Sequence, residues 1–133
     1  MGNATVLRVT AYAIAVVQFV LGAAYLFGAE RFNDLLGLSA APAWTQWPFA
    51  MMGARFLAFG FGMLLVARSP TAHRGWIQAM IVVQAIDWLA TITSLSTGIV
   101  TLQQVGTAAF LPLLFIGGLV VGYPRAIGAP ARG

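Results

Sequence analysis

The chain has 133 residues, of which 60% are hydrophobic and only 8% are charged. About a quarter of the residues of an average soluble domain are charged, so this composition excludes an ordinary soluble globule. The net charge of +4 comes from scattered arginines, which form neither the basic block nor the basic helical face of a nucleic-acid-binding protein. The lack of cysteine excludes disulfides, thiolate nucleophiles and cysteine-held metal clusters.

Four apolar segments are long enough to cross a membrane. A hydrocarbon core about 30 Å thick needs about 20 apolar residues in a helix. The segments that meet this requirement predict spans at about residues 9–28, 48–67, 76–95 and 101–122. Pro112 interrupts the last segment, which a membrane helix tolerates. The sequence therefore predicts an all-α integral membrane protein, a four-helix transmembrane bundle that forms one domain over residues 1–133.

The segment between the first two spans, residues 29–38, reads AERFNDLLGL. Phe32, Leu35 and Leu36 lie at helical spacing, with charged residues off that face. This pattern predicts a short helix that lies along the membrane surface. Asn33 and Asp34 are equally consistent with a turn or a helix cap.

The arginines are distributed unequally between the two sides of such a bundle. The side with both termini and the link between spans two and three carries Arg8, Arg68, Arg74, Arg125 and Arg132. The other side carries Arg31 beside two acidic residues. The positive-inside rule then predicts that both termini are cytoplasmic. The absence of lysine beside abundant alanine and glycine is typical of GC-rich bacterial genomes, so we expect a multi-pass protein of a bacterial inner membrane.

Arg55 and Asp87 are the charged residues inside the predicted spans. A charged side chain at mid-bilayer costs about 2.5 to 3.5 kcal/mol even on insertion scales. Both residues fall at nearly the same depth, so we expect them to form an ion pair in the bundle interior. Gln18, Tyr25 and Thr91 share the polar faces of their spans, and we expect these faces to meet inside the bundle.

Two interpretations of this polar set remain open. It is either a structural clamp that fixes the helix register or a site for a ligand or proton. In the second case, we expect a pocket between the first three spans that opens toward the outer leaflet or the periplasm. The predicted ligand-binding residues are Gln18, Tyr25, Arg55, Asp87, Trp88 and Thr91. No catalytic residue, metal site or cofactor is predicted, because His73 is the only histidine and lies in a polar link.

Small residues on the second span predict close helix packing. Ala54, Ala58 and Gly62 recur at intervals of four and therefore share one helical face. Small side chains let two membrane helices approach closely. We expect this face to contact another span.

The first half of the chain resembles a known group of proteins. Its pattern is a leading arginine, a first span rich in small residues, the segment ERFNDLLGL and a second span that begins MMGARFLAFGFG. This pattern is similar to that of the small four-helix bacterial membrane proteins of the DoxX-like group. The resemblance implies a four-helix bundle and association with a partner enzyme.

Three classes of function are compatible with these features. The first is an accessory or scaffold subunit of a larger membrane complex, because the chain is short and lacks redox or hydrolytic groups. The second is a binding protein or enzyme for a small apolar molecule such as a quinone, a sterol-like lipid or an isoprenoid, held by Arg55 and Asp87. The third is an oligomeric transporter or channel, because four helices enclose a pore only when several copies assemble. The expected partners are the lipid bilayer and other membrane subunits or copies of this chain.

Overall fold

A computed structural model describes residues 2–125, and within that range the chain is all-helical. The helices are α1 (Asn3–Phe27), α2 (Ala29–Leu35), α3 (Gln46–Arg68), α4 (Arg74–Ser96) and α5 (Leu102–Val121). A 3-10 turn at Ala43–Thr45 leads into α3. This architecture confirms the predicted four long helices with a short helix between the first two.

The four long helices, with the 3-10 turn counted as part of α3, are long and apolar enough to cross a bilayer. α1 begins at Asn3, before the predicted start of the first span. The helix therefore includes a more polar amino-terminal segment that precedes the apolar one. Arg132, which contributed to the predicted orientation, lies outside the described residues.

The four long helices form a ring in the order α1, α3, α4, α5. α1 packs along α3, α4 packs along α5, α1 also contacts α5, and α3 touches α4 least. Arg8, Arg68, Arg74 and Arg125 gather at one end of this ring, which we call the arginine end. The end that carries α2 is called the α2 end.

The apolar core lies in the half of the bundle next to the arginine end. Every long helix contributes residues from its arginine-end half, and these are Leu7, Ala11, Ile14, Ala15, Met63, Val66, Ala67, Ile77, Met80, Phe115 and Leu119. In the other half, the buried residues are small or polar, apart from a proline. The bundle is therefore densely packed at one end and open at the other.

Glycines bring α1 and α3 into close contact. A Cβ atom on Gly53 would lie 2.8 Å from the Gly22 carbonyl oxygen, so the two backbones touch there. The predicted packing stripe was wrong in part, because Ala54 and Ala58 are exposed. Gly62 does pack closely, but against the indole of Trp76 on α4.

The helix α2 ends in a tight turn. Gly37 adopts φ +70°, a conformation that favours glycine, and the Leu38 N–H donates to the Asn33 carbonyl over 3.0 Å. On the isolated chain Leu35 is 84% exposed, while Asn33, off the predicted apolar face, is buried. Phe32 does face the bundle, where its ring contacts the ring of Tyr25.

Candidate functional site

Arg55 and Asp87 lie at the same depth in the bundle. Each is thirteen residues from the arginine end of its helix, at Arg68 and Arg74 respectively, which corresponds to about 20 Å. Both side chains are exposed on the isolated chain. Their predicted placement in the bundle interior was therefore wrong, although their predicted match in depth holds.

The guanidinium of Arg55 is engaged within its own helix. Its Nη1 donates to the Met51 carbonyl oxygen over 3.1 Å. Among the residues that the structure describes, no ion pair joins Arg55 to Asp87. The α3–α4 contact is the sparsest in the ring, so these two helices do not hold the charges together.

The half of α4 that carries Asp87 contains no fully buried residue. From Ala85 to Ser96 no residue is buried, whereas the first half of the helix buries Ile77, Met80 and Gln84. The hydroxyl of Thr91 donates to the backbone carbonyl oxygen of Asp87 over 2.8 Å, so this hydroxyl has its hydrogen-bond partner within α4. Ser94 and Ser96 also donate to carbonyls of their own helix.

Two glutamines and a methionine form the polar part of the interior. Gln18 is 3% exposed and Gln84 is 5% exposed, and both amides approach the Met80 sulfur, at 4.0 Å and 3.7 Å. The Gln18 Oε1 atom is buried without a hydrogen-bond partner. Of the predicted site residues, Gln18 is the one that reaches the centre of the bundle.

Trp88 joins α4 to α5. Its indole Nε1 donates to the Ala109 carbonyl oxygen over 2.9 Å. Ala109 lies three residues before Pro112, in the turn where a proline ring disturbs the helical hydrogen bonds. The indole therefore stabilises α5 where the helix is weakened, a structural role within the described residues.

Tyr25 belongs to an aromatic cluster near the α2 end. Its ring lies 5.3 Å from that of Phe32, 5.4 Å from that of Phe49 and 6.0 Å from that of Phe56, measured between centroids. The contact with Phe32 is edge-to-face, a favoured geometry. This cluster fastens α2 and α3 to α1.

Three cavities lie at the two ends of the bundle. At the α2 end, one of about 150 Å³ borders Asn33 and Gln46, and an open cleft of about 670 Å³ borders Tyr25 and Arg31. At the arginine end, a cleft of about 530 Å³ is lined by Arg8 and Arg68 among others. Of the predicted ligand residues, only Tyr25 lines any of the three.

Sequence reasoning missed three contacts that shape this region. They are the Gly22–Gly53 backbone contact, the Met80 sulfur between two amides and the Trp88 bond to the turn before Pro112. The proline was a usable signal, because it frees a backbone carbonyl that a donor on a neighbouring helix can satisfy. The other two depend on helix rotation, which the pattern of small residues left ambiguous.

The fold and the site together define a class of protein: a small bundle of four apolar helices that fits a lipid bilayer and bears exposed charges at mid-depth on α3 and α4. Within residues 2–125 no cluster of histidine or acidic side chains could hold a metal ion. No family model, curated protein or solved structure matches this chain.

Proposed function

We propose that this chain is an accessory or scaffold subunit of a larger complex in a bacterial inner membrane. The observation that carries the proposal is the exposure of Arg55 and Asp87 at equal depth on the isolated bundle. Left against lipid, each charge would cost about 2.5 to 3.5 kcal/mol. A protein surface that covers α3 and α4 removes that cost by supplying polar partners.

The exposed half of α4 supports the same proposal. Membrane helices associate through close packing and hydrogen bonds, because lipid tails are as apolar as the side chains they would replace. The segment from Ala85 to Ser96 buries no residue within the chain, yet it carries a carboxylate and a series of small and hydroxyl side chains. Such a face suits a neighbouring helix better than it suits lipid.

Cysteine cross-linking tests the proposal directly, because the chain has no cysteine of its own. Ala58 and Ala90 are exposed and each lies three residues from one of the two charges. We expect A58C and A90C in native membranes to give cross-linked adducts with a bifunctional maleimide. Val20, which is 60% exposed on α1, provides the matched control V20C.

The mass of the adduct identifies the neighbour. A product of twice the chain mass indicates a second copy, in which Arg55 of each copy is at the right depth to pair with Asp87 of the other. A product of another mass indicates a different subunit. If A58C and A90C give no more adduct than V20C, the α3–α4 face contacts lipid and the proposal fails.

The proposal includes an orientation with the arginine end in the cytoplasm. It is supported by the four described arginines at that end against Arg31 at the other. Reporter domains fused after Arg68 and at the carboxyl terminus should both report a cytoplasmic location. A periplasmic signal from either fusion would contradict this orientation.

We also propose a distant relationship to the DoxX-like group. Two of the segments that resemble that group fall on α2 with the turn after it and on the middle of α3, where the second segment includes the exposed Arg55. Association with a partner enzyme, which the resemblance implies, agrees with a subunit role. The ligand-binding alternative has less support, because Arg55, Asp87 and Thr91 do not line the three cavities.

A further inference from the structure

The cleft at the arginine end gathers positive charge from three separate parts of the chain. Its volume is about 530 Å³, and it is lined by Arg8 near the start of α1, Arg68 at the end of α3 and Arg125 after α5. Arg74 fixes one wall, because its Nη2 donates to the Arg125 carbonyl oxygen over 3.3 Å. The tertiary fold, rather than one basic segment, thus brings these three arginines to one cleft.

No carboxylate side chain is available near this cleft. The sequence contains three acidic residues, and Glu30 and Asp34 belong to α2 at the opposite end of the bundle. Asp87 is thirteen residues from Arg74, about 20 Å along α4. No acidic side chain of this protein is therefore placed to neutralise the positive charge of the cleft.

The remaining lining residues suit a ligand that is polar at one end and apolar at the other. Ser69 and Thr71, which carry hydroxyl groups, are among the lining residues, and Pro70 and Pro124 contribute apolar surface. Tyr123 also lines it, and because its oxygen accepts from the Gln78 Nε2 at 2.9 Å, its own hydrogen is directed elsewhere. Hydroxyl donors beside arginines are the usual partners of a phosphate group.

We propose that the cleft lined by Arg8, Arg68 and Arg125 binds the phosphate of an anionic phospholipid. The cleft lies where the long helices end, at the level that lipid headgroups occupy when the bundle spans a bilayer. Basic pockets between membrane helices bind such headgroups. This inference does not depend on the proposed subunit role, because the cleft is at the end of the bundle and Arg55 and Asp87 are at mid-depth.

Lipid retention by the full-length chain tests the proposal. The protein is reconstituted in nanodiscs of equimolar phosphatidylcholine and phosphatidylglycerol, extracted in a neutral detergent, and its retained lipids are measured by native mass spectrometry. We expect the wild type to retain phosphatidylglycerol preferentially. Each of R8Q, R68Q and R125Q should lower that preference about fivefold, and R68K should keep most of it.

Arg31 supplies the matched control, because R31Q removes the same charge at the opposite end of the bundle. Thermal unfolding in phosphatidylcholine alone verifies that each variant folds, and any single variant that folds is sufficient for the test. Equal retention of the two lipids by the wild type, or an equal loss in R31Q and R68Q, would overturn the proposal.

A soluble anion is distinguished from a lipid by titration with inorganic phosphate in neutral detergent. If the lipid is the ligand, phosphate alone should bind far more weakly than phosphatidylglycerol and should not displace it. Displacement by phosphate at comparable concentration, with loss in R68Q, would overturn the lipid assignment and identify a site for a free phosphate group.

Discussion

The arginine half and the α2 half of the bundle are held together by different contacts. In the arginine half, large apolar side chains from all four long helices interlock, and Leu7, Ile14 and Ile77 are almost fully buried. In the α2 half, α1 and α3 approach through glycines, while the second half of α4 buries no residue.

This difference distinguishes a half of the bundle that is packed by its own side chains from a half that is not. Lipid gives no hydrophobic driving force between helices, so dense packing is what stabilises the arginine half. The α2 half instead has one close helix pair, the aromatic cluster around Tyr25, one indole hydrogen bond and exposed charges. We expect the densely packed half to be the more stable of the two, and the other half to be where a partner protein binds in the proposed complex.

The largest expected effect comes from removing core volume in the arginine half. Ile77 on α4 is 0% exposed, so I77A leaves a cavity that the neighbouring helices cannot fill. We expect the free energy of unfolding to fall by roughly 2 kcal/mol, at the low end of the range for soluble cores, since lipid also solvates apolar groups. Unfolding by denaturing detergent measures the change.

Ile86 on the same helix makes the control for this comparison. It is 60% exposed, and I86A should change the unfolding free energy of the isolated chain by less than about 0.5 kcal/mol. A loss in I86A as large as that in I77A would show that the two halves of α4 are equally packed. A loss in I86A that appears only in native membranes would reveal a neighbour on that face.

The next effect concerns the glycine contact that closes α1 onto α3. The Cβ atom of G53A would meet the Gly22 carbonyl oxygen and the Leu26 backbone nitrogen at 2.8 and 3.0 Å, and backbone cannot move aside cheaply. We expect a loss of about 1.5 kcal/mol in the free energy of unfolding. In the control G117A, on α5, the Cβ atom meets nothing within 4 Å. If the two variants are equally stable, the close approach of α1 and α3 is not required.

A smaller effect tests the contact between α4 and α5 in the open half. W88F keeps an aromatic ring but removes the donor to the Ala109 carbonyl oxygen, leaving that oxygen without its indole partner. We expect a loss of about 1 kcal/mol in unfolding free energy. Trp47 is 73% exposed, so W47F should have no measurable effect. Equal stability of both variants would indicate that α5 satisfies its own carbonyls around Pro112.

The sequence was sufficient to predict the helices and their depth. Apolar segments of bilayer length predicted all four long helices, and the periodicity of residues 29–38 predicted α2. Equal counts along α3 and α4 also placed Arg55 and Asp87 at one level. These features depend on the length of each apolar segment and on the fixed rise per residue of a helix, and both can be read from the sequence.

The sequence could not predict how each helix is rotated about its own axis, and this rotation decides which residues face the bundle interior. In a bundle whose helices are apolar on every side, no amphipathic pattern marks the inner face. The sequence therefore predicts an internal polar stripe, which is correct for Gln18 but wrong for Arg55 and Asp87. The small-residue stripe failed for the same reason, since Gly53 is buried and its neighbour Ala54 is exposed.

The smallest expected effect is local to the α2 end, where Gln104 joins α5 to the turn after α2. Its Nε2 donates to the Gly37 carbonyl oxygen over 2.7 Å, and its Oε1 accepts from the Thr101 N–H over 2.9 Å. Q104E keeps the second bond but loses the first, so we expect less than about 1 kcal/mol of lost stability. Amide hydrogen exchange should accelerate around Gly37 and stay unchanged at Thr101, whereas Q104A should accelerate both. The exposed neighbour Gln103 provides the control Q103E, and equal exchange in Q103E and Q104E would show that the turn is held by α2 alone.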